Sequence, residues 1–240
     1  MNDDGRQLLA RILASEPKLH ALHGEGSGGP IGLWSADVEL YEFLADELRP
    51  GTRSLETGLG VSTVLFVAAG AEHTCVVNAA PEGERVLEHC RAHGIATDRL
   101  VVRVGDSGDV LPALEPTPID VLLIDGGHGF PVPILDFHYG ARRIVVGGVL
   151  VIDDLGLPAV RALARFVDAD PRWERLERNR QWAAYRRIAP SAGTEDWWQQ
   201  QWAPSLWRMR LRSWPGVPRY FAGRLARRLG LRRQEPSQGP

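Results

Sequence analysis

The residues best equipped for chemistry are Asp125 and His128, three positions apart behind the apolar run Val121–Ile124, and the pair Asp153-Asp154 behind the apolar run Val149–Ile152. If the two runs are neighbouring strands, three carboxylates and an imidazole meet at one edge of a sheet. Crowded carboxylates repel one another unless a proton or a cation stands between them, and oxygen ligands of this kind suit Mg²⁺. An imidazole that titrates near neutrality can take a proton from a hydroxyl without special tuning. The plainer alternatives are that Asp153 or Asp154 caps the following helix and that His128 makes a structural hydrogen bond beside Pro131.

A second group lies upstream, in Glu56-Thr57-Gly58-Leu59-Gly60-Val61-Ser62-Thr63. Gly58 and Gly60 let the backbone pass close to a ligand, and a helix starting near Ser62 offers free N–H groups. A dinucleotide fingerprint wants a third glycine or alanine where Thr63 stands and an acidic residue near Asn78, and it finds neither. Glu56 suits a cationic amino-acid group better than a pyrophosphate. The glycines alone are equally consistent with a tight strand-to-helix turn. Further on, Asp106-Ser107 can accept from and donate to an adenine amino group, or Asp106 can cap the next helix.

These residues need strands to carry them. Apolar runs alternate with helical patterns in the order strand 53–57, helix 61–69, strand 73–78, helix 81–93, strand 99–104, helix 108–114, strand 119–124, helix 132–143, strand 145–152, helix 157–168. Five such units predict a doubly wound α/β fold, because parallel strands need crossover connections. Trp173–Leu176 and Gln181–Ile188, joined at Arg178-Asn179-Arg180, predict an antiparallel hairpin at one edge of what becomes a mostly parallel seven-stranded sheet. In such sheets ligands lie beyond the carboxyl ends of the strands, where every residue named above falls. Upstream, residues 1–20 predict a short helix, Gly24–Pro30 a flexible loop, and Ser35 the N-cap of a helix that Pro50-Gly51 ends. The expected division is a helical cap over residues 1–50, a catalytic domain over 51–189 and an extension over 190–240.

Leu55–Val167, about half of the chain, resembles the class I S-adenosylmethionine-dependent methyltransferases. It is most similar to the branch that shares Glu-Thr-Gly-x-Gly-x-Ser-Thr, Ile-Asp-Gly-x-His-x-Phe-Pro and Gly-Gly-x-x-x-x-Asp-Asp, which stand here as Glu56–Thr63, Ile124–Pro131 and Gly147–Asp154. The resemblance implies a Rossmann-like sheet and S-adenosylmethionine as cofactor. Glu56, Gly58, Gly60 and Ser62 would surround its methionine part and Asp106 with Ser107 its adenine, with Asn78 and Asp125 also at the cofactor. Asn78 departs from the acidic residue that many members place under the ribose hydroxyls. The spacing also resembles the catechol-type and macrolide-sugar O-methyltransferases, which implies Asp125, Asp153 and Asp154 as Mg²⁺ ligands and His128 as general base.

Composition narrows the rest. With 44% apolar and 24% charged residues, no long uncharged apolar run and an acidic N-terminus, the chain reads as a cytoplasmic globular protein. Cys75 and Cys90 fit no ligand spacing, and His89 with His93 lacks a third ligand, so both pairs read as ordinary residues. Residues 201–240 hold nine Arg against Glu235 in a chain of net charge −2, which leaves about −10 on the body. Phe221, Leu225 and Leu229 give that tail a basic amphipathic helix suited to a protein surface or weakly to an anionic membrane, and Trp197, Trp198, Trp202, Trp207 and Trp214 read as packing residues. The expected partner is a small hydroxylated acceptor, with no nucleic acid. The competing functions are a nicotinamide-dependent oxidoreductase and a non-catalytic or nucleic-acid-associated binding module.

Overall fold

The computed structural model describes residues 3–21, 30–32 and 36–190. The basic tail, its tryptophans, Ser35 and most of the Gly24–Pro30 loop lie outside these residues. Helix α1 (Asp3–Ala14) is followed by two two-residue strands, β1 (His20–Ala21) and β2 (Ile31–Gly32), which pair antiparallel. Helix α2 (Val38–Glu47) then leads into alternating strands and helices: β3 (Arg53–Thr57), α3 (Val61–Ala68), β4 (Glu72–Val77), α4 (Ala80–Ala92), β5 (Leu100–Val104), α5 (Ser107–Ala113), β6 (Ile119–Ile124), α6 (Val132–Gly140), β7 (Ile144–Ile152) and α7 (Pro158–Ala169). Strands β8 (Trp173–Arg178) and β9 (Ala183–Arg187) close the described chain.

The main sheet has the order β5-β4-β3-β6-β7-β9-β8. Strands β3 to β7 are parallel, and β9 runs antiparallel beside β7 with β8 outside it. Strand order therefore reverses between β3 and β6, which is where a doubly wound sheet opens a crevice beyond its strand ends. The predicted five parallel strands and terminal hairpin are thus present, with the hairpin's second strand inserted against the sheet. Its turn is set by Asn179, whose Oδ1 accepts from the backbone N–H groups of Gln181 (2.8 Å) and Trp182 (2.9 Å).

The sheet is buried on both faces, as its apolar strands require. Successive residues of β6 alternate: Val121 and Leu123 join the core under α1 to α4, while Leu122 and Ile124 join the core under α5 to α7. All four are at most 3% exposed, so each contributes about 2 kcal/mol of apolar burial. Cys75 and Cys90 are buried free thiols in the first of these cores.

Two details differ from the sequence expectation. The helix expected over 132–143 ends at Gly140 and tightens into a 3₁₀ turn over Ala141–Arg143. Gly140 packs so closely on the sheet that a Cβ would come within 2.7 Å of a Leu122 methyl. Gly147-Gly148 forms a bulge in β7: Ile119 pairs with Ile144 but Val121 with Val149. Gly147 has φ +92°, and a Cβ on Gly148 would lie 2.8 Å from the Asp120 carbonyl. The glycine pair of that motif thus shapes the strand, and only the aspartates at its far end reach the site.

Candidate active site

Four of the five parallel strands, β3, β5, β6 and β7, end with one backbone hydrogen bond beyond the last paired residue. Gly58 N–H donates to Val76 C=O (2.9 Å), Gly105 N–H to Val77 C=O (2.9 Å), Asp125 N–H to Thr57 C=O (2.9 Å) and Asp153 N–H to Ile124 C=O (3.1 Å). The residues that follow line a cavity of about 770 Å³ at this edge. Gly58, Gly60, Ser62, Asn78, Asp106, Ser107, Asp125, His128, Asp153 and Asp154 all face it.

Gly58 is required by its backbone: φ is +102°, and a Cβ would stand 2.2 Å from the Asp125 carbonyl oxygen. The loop from β3 into α3 is thereby pressed against the loop after β6. At the start of α3, Gly60 N–H donates to Thr63 Oγ1 (3.0 Å).

Glu56 is placed differently from the expectation that it surrounds a cofactor. It is 0% exposed and lies beneath the loop, away from the cavity lining. Its carboxylate accepts from Ser62 Oγ and from Thr63 Oγ1 (2.6 Å), and His73 Nε2 lies 3.1 Å away. His73 is fixed in turn by Ser54 Oγ at 2.8 Å and by stacking on Phe66 at 4.4 Å. Side chains alternate along a strand, so Glu56, the residue before the cavity-lining Thr57, is directed into the core, where it holds the loop. Thr63, the residue where a dinucleotide fold wants a small one, is occupied in this network.

At the other end of the cavity, Asp106 both faces the space and caps α5, its Oδ1 accepting from Gly108 N–H at 2.8 Å. The two alternatives for this residue are therefore compatible, since a carboxylate has two oxygens.

The imidazole of His128 stands between carboxylates, with Nε2 3.0 Å from Asp154 Oδ2 and 3.9 Å from Asp125 Oδ1. The neighbouring Asp125 carboxylate, helped by the charges of Asp154 and Asp153, raises the His128 pKa against the opposing effect of burial. Burial pushes Asp125 up, partly offset by His128. Asp153, 5% exposed, is driven up to about 7 by burial and then by the charge of Asp125. Asp154 is held at φ +60°, a left-handed conformation that aspartate tolerates better than most residues.

The metal-ligand set also differs from the expected one. Among the described residues, Asp125, His128 and Asp154 offer ligand atoms that all lie within 4.8 Å of one another, and Asp153 stands outside that group. Asp153 nonetheless lines the same cavity as Asp154. Two carboxylate oxygens beside one imidazole nitrogen fit a divalent cation with open positions, Mn²⁺ or Zn²⁺ as readily as Mg²⁺.

Several lining residues were not singled out in the sequence. Asp37, at the N-cap of α2, and Tyr41, one turn into it, line the cavity, with Gln181 from the hairpin turn. Tyr41 Oη accepts from Ala36 N–H (2.9 Å), and Asn179 Nδ2 donates to Asp37 Oδ2 (3.1 Å). Their i, i+4 spacing was a usable signal; nothing local marks Gln181. His20 and Glu82 form a further wall. Away from the cavity, His89 and His93 stack at 4.3 Å, and His89 takes Ser15 Oγ at 3.0 Å.

Residues 55–155 match the family described as a methyltransferase domain. The fold is similar to that of the O-methyltransferase TomG from Streptomyces achromogenes, solved in complex with SAM, at 17% identity and TM-score 0.58, over 79% of this chain and 92% of that one. A crystal structure described as a putative O-methyltransferase from Klebsiella pneumoniae matches at 18% identity and TM-score 0.55, over 76% and 90%. An SAH-bound methyltransferase from Podospora anserina matches at 16% identity and TM-score 0.53, over 79% and 89%. No curated protein matches the sequence. No helix among the described residues is long and apolar enough to cross a membrane. Residues 55–155 thus match a methyltransferase-domain family, and the strand order with its terminal hairpin is the Rossmann-like fold of the class I methyltransferases.

Proposed function

We propose that the chain transfers the methyl group of S-adenosylmethionine to a hydroxyl of a small acceptor, with His128 as the base. The observation that carries this reading is the imidazole held 3.0 Å from Asp154 in the same cavity as the Gly58–Gly60 loop. The cofactor would lie from Asp106-Ser107 across the glycine loop, with its sulfonium toward the acidic end. The hydroxyl oxygen attacks the methyl carbon in line, the carbon–sulfur bond breaks to leave S-adenosylhomocysteine, and the hydroxyl proton passes to the imidazole. Asp125 and Asp154 stabilise the imidazolium so formed. Asp37, Tyr41 and Gln181 form the wall nearest the acceptor, which gives the α2 part of the cap over residues 1–50 a role in acceptor binding.

Asp125 and Asp154 are the ligands we assign to a divalent cation, which when bound would lower the pKa of the acceptor hydroxyl. His128 is then free to hold the proton. The cytoplasm is the expected compartment and the small acceptor the expected partner. The test is release of S-adenosylhomocysteine over a panel of hydroxylated metabolites, with and without EDTA. Cofactor-dependent release on a hydroxyl acceptor supports the reading, and undiminished transfer in EDTA would remove the cation while leaving the base. Failure of the folded chain to bind S-adenosylmethionine in a calorimeter would overturn the whole.

A further inference from the structure

The middle of the cavity is walled by two residues the methyl transfer does not use. Glu82, in the first turn of α4, faces the space with its side chain 20% exposed. His20 of β1 faces it from above, Nδ1 lying 3.2 Å from Glu82 Oε1. The same ring reaches over the glycine loop, its Nε2 3.5 Å from the point a Cβ on Gly60 would occupy. The strand that carries it is tied down twice: Arg85 Nε, one turn along α4, donates to the Leu19 carbonyl at 2.5 Å, and Leu19 N–H donates to the Gly32 carbonyl at 3.1 Å.

The order of the sheet dictates what must lie there. Strand ends cross the cavity as β5, β4, β3, β6, β7. With adenine at Asp106-Ser107 behind β5 and the reacting methyl beside His128 behind β6, the part of the cofactor over β4 and β3 is the ribose that joins them. A ribose presents two adjacent hydroxyls, both able to donate and neither charged. Asn78 at the end of β4 offers one neutral carbonyl oxygen and an amide that can only donate. Glu82, one helical turn further on, offers a carboxylate whose bonds to hydroxyls are charge-assisted, and His20 takes up only part of its capacity.

We propose that Glu82, oriented by His20, accepts the hydrogen bonds of the ribose hydroxyls, so that the centre of the cofactor is bound from helix α4 and strand β1. Glu82 is a binding residue and His20 a positioning residue. The proposal rests on the S-adenosylmethionine reading above.

The experiment is calorimetric binding of S-adenosylhomocysteine and its 2′-deoxy and 3′-deoxy analogues to the full chain. Loss of a charge-assisted hydrogen bond should weaken the affected analogue roughly tenfold to a hundredfold against the wild-type chain. Glu82→Gln should weaken the parent ligand by a comparable factor and bring the three ligands to nearly equal affinity. His20→Ala should shrink the discrimination, and His20→Asn, whose amide can donate where Nδ1 does, should restore it. A purely structural role would lower all affinities together and leave their ratio unmoved, and thermal unfolding of each variant checks that it folds. Wild-type discrimination retained in Glu82→Gln, or erased by Asn78→Ala alone, would overturn the proposal. Absence of S-adenosylhomocysteine binding to the wild-type chain would overturn the cofactor reading and this proposal with it, whereas tight binding with an unmoved ratio overturns this proposal alone.

Discussion

Replacing Asp153 by Asn removes a buried carboxyl while keeping the shape of the side chain, and its effect on stability must depend on pH. The Asp153 pKa is raised from 3.8 to about 7, chiefly by burial and then by Asp125. A raised carboxyl pKa means that between these two values the folded chain keeps a proton the unfolded chain has released. Stability therefore falls as pH rises through that window, and the cost is complete above about pH 7. Three units correspond to about 4 kcal/mol at the upper limit, and because Asp125 carries part of the same repulsion the share removed by one substitution is nearer 2 kcal/mol. At about 2–4 °C per kcal/mol for a domain of this size, Asp153→Asn should raise the midpoint of thermal unfolding by roughly 4–8 °C at about pH 8.5 and by roughly a third of that at about pH 5, where only part of the cost has accrued. Scanning calorimetry of the ligand-free chain at both pH values makes the comparison. An equal shift at both, or a loss of stability at the higher pH, would refute the reasoning, because either result would show that the charge of Asp153 is not what burial opposes.

The base and the loop yield two more expectations. His128→Asn should lower methyl transfer by roughly a hundredfold or more while leaving cofactor affinity within a few-fold. Because the neutral imidazole is the active form and its pKa is raised by Asp125 and Asp154, kcat/KM in the wild type should climb with pH through a value above 6.5, and that limb should vanish in the variant. Gly58→Ala places a Cβ 2.2 Å from the Asp125 carbonyl oxygen, a backbone neighbour that cannot rotate away, and adds the cost of a positive φ. A loss of at least about 2 kcal/mol in denaturant unfolding is expected, along with loss of cofactor binding; a fully stable variant would show that the two loops are not pressed together in solution.

Much of the fold was legible because its signals are local. Runs such as Val121–Ile124 announce strands, and the boundaries of β3 and β6 fall at the expected residues 53–57 and 119–124. Where the expectation slipped, the cause was tertiary: nothing near Gly140 reveals that Leu122 will press on it. The site divides in the same way. Strand-end residues were legible because topology sends them all to one edge. Glu56 was misplaced because the parity of a strand, and not the chemistry of the residue, decides whether a carboxylate faces the ligand or the core. That Asp154 rather than Asp153 comes together with Asp125 and His128 depends on the backbone turn at Asp154, which no local pattern announces. His20 and Gln181 come from distant parts of the chain, and only the folded arrangement brings them in.

The single hydrogen bonds that continue the sheet past Gly58, Gly105, Asp125 and Asp153 have a consequence for how such a protein can change. The donor end of the cavity is stitched into the last rungs of the ladder, so its amides should exchange with solvent only when the sheet itself opens. The wall that we propose receives the acceptor, assembled from α2 and the turn between β8 and β9, is held together by side chains, Asn179 Nδ2 donating to Asp37 Oδ2. A lineage can therefore remodel that proposed acceptor wall without disturbing the strand ends and the glycine loop, and the two sides of the cavity are free to evolve at different rates.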